Sequence, residues 1–115
     1  MSAIAVNLSI TQGDTFSIRL EIRDSEGEAD DLTLYGIRGS VKNKYSDTTA
    51  LLDLSPTIFN ATLGQVDIDV PSTLTENLPI TEAVYDVEKY LLTDNSIVFK
   101  IIKGKMSISP EVTTG

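Results

Sequence analysis

The chain has 115 residues, a net charge of −8 and a pI near 4.3, and it contains no His, Cys or Trp. That length suits one domain spanning residues 1–115, able to bury a core without cross-links. Without imidazole or thiol, the usual nucleophile–base pairs, thiolate metal sites and disulfides are excluded. The negative field disfavours nucleic acid and anionic membrane as partners.

Taken in chain order, the dominant period is two. AVNLSI places Val6, Leu8 and Ile10 on one side against Asn7 and Ser9. TFSIRLEIRD repeats the pattern, with Phe16, Ile18, Leu20 and Ile22 facing one way and Ser17, Arg19, Glu21 and Arg23 the other. Successive strand side chains point to opposite faces, so each is a strand with one dry face.

The acidic run DSEGEADD, Asp24 to Asp31, follows. A calcium loop needs acids at alternating positions, a glycine and a distal Glu. Asp24, Glu26 and Glu28 alternate, but Gly27 comes too early and the distal Glu is missing. A turn reading needs less: Gly27 supplies a positive φ and the flanking acids stay hydrated. No metal or cofactor is expected.

GIRGSVKNKY sets Ile37 and Val41 against Arg38, Ser40, Lys42 and Lys44. Residues 46–64 read as a loop with one short strand around 51–54. GQVDIDV is another strand, with Val66, Ile68 and Val70 inward. In PSTLTENL, Pro71 opens a short helical turn, Leu74 and Leu78 face inward, and Pro79 ends it. AVYDVEKYLLTD and SIVFKIIKGKMSIS form a last pair of strands, with a turn at Asp94-Asn95-Ser96 and a bulge or extended turn near Lys89-Tyr90. Such alternation predicts an all-β chain: an antiparallel β-sandwich, Ig-like or jelly-roll-like, of six to eight strands with one short helical turn near 71–78.

Asp86 reads as an outward residue or a turn anchor, and paired-carboxylate catalysis has no evident cleft. The basic residues Arg38, Lys42, Lys44, Lys100, Lys103 and Lys105 read as a solvated face paired with acids on neighbouring strands. Phe16 and Phe99 read as core, while Tyr35, Tyr45 and Tyr90 are candidate ligand contacts or rim packing. No apolar run reaches the ~20 residues of a membrane helix, and the N-terminus lacks the features of a signal peptide. With no turnover chemistry, interaction remains. The terminal strands are the expected partner contacts, through Val6, Leu8, Ile10, Met106, Ile108 and Val112.

Several ordered pieces carry a resemblance: Gly13-Asp14-Thr15, Asp24 to Gly27, Asp31-Leu32-Thr33, Gly64, Tyr85-Asp86, and Gly104 through Pro110-Glu111-Val112-Thr113. Together the chain resembles small tailed-phage virion proteins, notably the N-terminal domain of upper baseplate proteins of phages infecting Gram-positive hosts. The resemblance implies a non-enzymatic structural subunit of the baseplate, tail or head–tail region. Its partners would be other virion proteins and copies of itself, and its place the virion after synthesis in the host cytoplasm. The alternative is a carbohydrate- or receptor-binding module of a phage or bacterial surface.

Overall fold

The computed structural model describes residues 4–110, and these form two sheets around one core, with a single short helix. The elements are β1 (Ile4–Ala5), β2 (Leu8–Thr11), β3 (Phe16–Glu21), β4 (Tyr35–Lys42), β5 (Leu52–Asp53), β6 (Thr57–Asn60), β7 (Gln65–Val70), α1 (Ser72–Thr75), β8 (Thr81–Leu91) and β9 (Asp94–Ser109). The first sheet runs β1-β9-β8-β4-β5, with β2 also on β9, and the second runs β3-β7-β6. The class is all-β, as the alternation predicts. Among the described residues nine segments are strands, where the alternation predicts six to eight, but β1 and β5 are two residues each.

Alternation converts directly into burial. Val66, Ile68 and Val70 are buried on the inner face of β7, and Val41, Ala83, Tyr85 and Val87 on that of β4 and β8. Ile22 and Leu32 from the β3–β4 connection complete the same cluster. β3 pairs antiparallel with β7 from Phe16↔Val70 to Glu21↔Gln65, which sets Arg19 beside Asp67 on the wet face.

Three local expectations are corrected. The wholly antiparallel arrangement fails at one edge: β1 and β2 run parallel to β9, from Ile4↔Ile102 to Thr11↔Ser109. A parallel pair needs a long connection, and here the whole intervening chain supplies it. The β8–β9 turn is Leu92-Thr93, not Asp94-Asn95-Ser96. Asp94 instead accepts hydrogen bonds from the Ser96 backbone (3.1 Å) and hydroxyl (2.6 Å), so this trio forms an irregularity inside β9. Thirdly, Leu74 is exposed; α1 buries Thr75, whose hydroxyl donates to the Asp14 carbonyl at 2.7 Å, while Leu78 is buried as expected.

Register shifts flank the expected irregularity near Lys89-Tyr90, and the extra residues lie on β9. Val87 pairs Ile102 and Glu88 pairs Lys100, so Ile101 is inserted and both Ile101 and Ile102 are buried. A bulge of this kind returns Lys103 and Lys105 to the wet face. Residues 46–64, read as a loop with one short strand, contain β5 where expected and a second strand, β6, that was not.

Candidate functional site

The acidic run folds as a tight side hairpin between β3 and β4. Arg23 and Ala29 bridge antiparallel, and Asp24 Oδ1 accepts the backbone N–H groups of Glu26 (2.9 Å) and Glu28 (3.0 Å). Gly27 takes φ +82°, as the turn reading requires. Asp31 is likewise engaged: hydrogen bonds from the Thr33 hydroxyl and backbone N–H hold its carboxyl below the usual range. Among the described residues no three acids converge on a point where a cation would sit.

One acid departs from the hydrated picture. Asp30 is 8% exposed, and its Oδ2 accepts a 2.8 Å hydrogen bond from Lys89 Nζ, itself buried. Lys89 follows Ala83, Tyr85 and Val87 on the inner face of β8, and its ammonium lies 4.4 Å from the Tyr35 ring centroid and 5.6 Å from that of Phe99. The pair ties the side hairpin to the first sheet. The sequence carried a signal for it: alternation over AVYDVEKY puts a lysine on an apolar face, which demands a counter-ion. The loop is pinned further by Leu32 N–H to Ala61 O (2.8 Å) and Ile22 N–H to Gly64 O (2.8 Å). Gly64 has φ +65°, and a Cβ there would meet the Ile22 and Asp30 carbonyls at 2.6 and 2.7 Å.

The expected partner contacts are placed otherwise. Ile10, Met106 and Ile108 are buried in the chain's own core, and Val6 and Leu8 pack half-buried against it. These side chains are taken up by the chain's own core, over which the two terminal strands pair with each other. Val112 lies outside the described residues. What the edge presents is backbone. Val6 N–H bonds Lys103 O (2.9 Å) and Gln12 N–H bonds Ser109 O (3.0 Å), so even-numbered residues face β9 and odd-numbered ones, Ser9 among them, face away.

This edge is fastened at one irregular point. Regular parallel pairing would send Lys105 N–H to the Val6 carbonyl. Instead the Tyr85 hydroxyl donates to that carbonyl at 2.6 Å, and Lys105 N–H donates to Asn7 Oδ1 at 3.1 Å. Gly104 makes room, since Tyr85 is its cross-strand partner and the Val6 carbonyl passes directly over it. Burial, then the neighbouring Tyr45, pushes the Tyr85 hydroxyl up to about 12.

The outer face of the first sheet is an ordered charge lattice. Acids lie on central β8 and bases on the flanking strands: Arg38 to Glu88 (2.6 Å), Lys100 to Asp86 (3.1 Å) and Glu88, and Lys105 to Glu82 (3.1 Å). Burial pushes the Glu88 carboxyl up, but hydrogen bonds from Lys100 and Arg38 and their charges outweigh it and hold it low. Asp86 therefore points outward onto Lys100. Open depressions here are lined by Arg38, Ser40, Asp53 and Glu88, and by Tyr45, Asp86, Lys100 and Lys103. Tyr90 lies over Gly36, with the Arg38 guanidinium 4.9 Å from its ring centroid.

On the second sheet, Arg19 binds Asp67 through two hydrogen bonds (2.6 and 3.0 Å) and sits 3.6 Å from the ring centroid of Phe59. The hydrogen bond from Arg19 holds the Asp67 carboxyl below its usual value. Phe59 is 58% exposed and occupies a register shift in β6, a feature absent from the sequence reading. Phe99, expected in the core, is 38% exposed. Among the described residues no helix is long and apolar enough to cross a membrane. Compared with models of known protein families and with curated proteins, the chain matches none.

Proposed function

We propose that the chain is a non-enzymatic structural subunit of a tailed-bacteriophage particle, in the baseplate, tail or head–tail region. It acts through contacts with other virion proteins and with copies of itself. Its two sheets on this reading form a sandwich of the Ig-like or jelly-roll-like kind. The observation that carries the proposal is the edge made by β1 and β2: from Ile4 to Thr11 it holds no charge and no proline. Sheets ordinarily guard their edges with such residues, and an unguarded one suits pairing with another chain. The resemblance adds weight because its pieces fall where this fold needs them: Gly13, Gly27 and Gly64 at positive φ, Asp24 and Asp31 as turn caps, and Tyr85 with Gly104 at the edge fastening.

The test places a charge on that edge. Ser9 is exposed, so Ser9→Lys leaves the core intact. The variant is expected to melt like the parent yet lose incorporation into phage particles made in the host. Normal incorporation, together with a monomeric parent in sedimentation, would overturn the proposal.

A second reading, a carbohydrate- or receptor-binding module, is favoured by the exposed Phe59 ring beside Arg19, Ser17, Asp67 and Asp69. An aromatic face next to fixed carboxylates is able to stack on a sugar and accept its hydroxyl hydrogen bonds. Saturable binding of the isolated chain on a glycan array, abolished by Phe59→Ala, would favour it.

A further inference from the structure

One end of the first sheet exposes a group of large apolar residues. Cover on the inner face of β8 runs out past Lys89: Leu91 is half-buried, and Leu92, Leu34, Ile97 and Phe99 are 61%, 67%, 40% and 38% exposed. The strand pairing gathers these residues at one end of the first sheet. Leu92 N–H donates to Leu34 O at 3.1 Å, Tyr35 pairs with Leu91, and Phe99 pairs with Lys89. Single exposed leucines need no explanation, but a contiguous group of them marks a contact surface.

The charge around this end selects the occupant. Asp31 lies three residues before Leu34 and Asp94 two residues after Leu92, and both are exposed. The nearby bases are already engaged: Lys89 is buried against Asp30, Arg23 bonds Glu21 and the Gly27 carbonyl, and Arg38 holds Glu88 on the opposite face. The rim is therefore negative. A second copy fits poorly, because two-fold pairing sets identical acidic rims against each other. We propose that this end docks a different protein, one presenting an apolar side-chain cluster flanked by Lys or Arg. The inference names partner chemistry for the contact role proposed above and rests on that reading.

The experiment titrates the full chain, followed by amide NMR shifts, with an amphipathic Leu/Lys peptide and with its Leu/Glu counterpart. The Leu/Lys peptide is expected to give saturable shifts confined to residues 34–35, 89–92 and 97–99, and the Leu/Glu peptide none. Leu34→Ser/Leu92→Ser should weaken binding by about tenfold or more without lowering the melting temperature. Separately, Asp31→Lys/Asp94→Lys should weaken it as much when measured well below its melting transition, which falls somewhat because both acids also cap turns. Shifts spread over the other acidic surfaces, unchanged binding by either variant, or peptide-independent self-association through these residues would overturn it. If peptide binding fails while Ser9→Lys still loses incorporation into particles, the docking surface is refuted and the structural role stands.

Discussion

Gly104→Ala should detach the N-terminal edge from the fold. An added Cβ would lie 1.9 Å from the Val6 carbonyl oxygen and 2.7 Å from its carbon. Both are backbone atoms, so no rotamer change relieves the clash; β1 and β2 must move away from β9. Forcing a methyl into a filled space costs roughly 1–3 kcal/mol. The movement also strips Val6 from the Tyr85 hydroxyl, a 2.6 Å bond in a partly buried setting, and leaving such a group unpaired costs about 1–3 kcal/mol more. The Asn7–Lys105 bond is exposed and adds little. The sum is about 2–6 kcal/mol, a large part of the ~5–15 kcal/mol of a typical domain. At the usual unfolding entropy per residue, 115 residues lose roughly 4 °C of Tm per kcal/mol, so the expected fall is about 8–24 °C.

Urea denaturation followed by circular dichroism measures the loss, and hydrogen exchange at the Val6 amide locates it. Tyr85→Phe alone should cost about 1–2 kcal/mol through the same bond. Since Gly104→Ala already breaks that bond, the double variant should fall short of the sum. A Gly104→Ala loss below about 0.5 kcal/mol, or strict additivity in the double variant, would refute the reasoning.

Lys89→Met should cost about 3–5 kcal/mol in urea melts, because it strands the buried Asp30 carboxylate, and combining it with Asp30→Leu should recover most of that loss. Glu88 is held low in the folded state, chiefly by its hydrogen bonds against the opposing effect of burial. Its contribution is present above the ordinary value of 4.5 and lost as pH falls through the depressed one, so Glu88→Gln should flatten the acid limb of the stability curve. Tyr85 is shifted the other way, from 10.0 to about 12. Stability should therefore decline as pH rises between those values, and in a tyrosinate absorbance titration one of the four tyrosines should ionise late, a phase absent from Tyr85→Phe.

Strands whose one face is dry were legible because the period of two is written in single residues. Val66, Ile68 and Val70 needed no knowledge of the partner strand to be placed inward. What depends on distant residues was not legible. The parallel run of β2 on β9 is a property of two chain ends meeting, and nothing in AVNLSI specifies direction. Met106 and Ile108 read as partner contacts for the same reason: a terminal strand's dry face looks identical whether its own core or a neighbour covers it. β6 is masked in the sequence because Pro56 precedes it and a register shift at Phe59 breaks the alternation. Two features were present in the sequence as local faults in the pattern. The doublet Ile101-Ile102 is the bulge of β9, and Lys89 among Ala83, Tyr85 and Val87 is the buried cation. In the acidic run, by contrast, only the fold distinguishes Asp30 from its hydrated neighbours.

The two irregular fastenings stand directly behind the two proposed contact surfaces. The Gly104–Val6–Tyr85 arrangement holds the uncharged edge strand, and the Asp30–Lys89 pair holds the side hairpin against Tyr35 and Phe99 at the apolar end. Neither is the cheapest way to stabilise a core, since a buried ion pair is often no better than well-packed apolar residues of the same volume. What each does provide is a single geometry for a segment that would otherwise shift. A surface already fixed in its bound shape loses less conformational entropy on docking, so small contacts suffice. In a repeated assembly those small contacts act together through effective concentration. Loosening either fastening should accordingly weaken binding at the surface it supports, even though Tyr85 and Lys89 are both buried and out of a partner's reach.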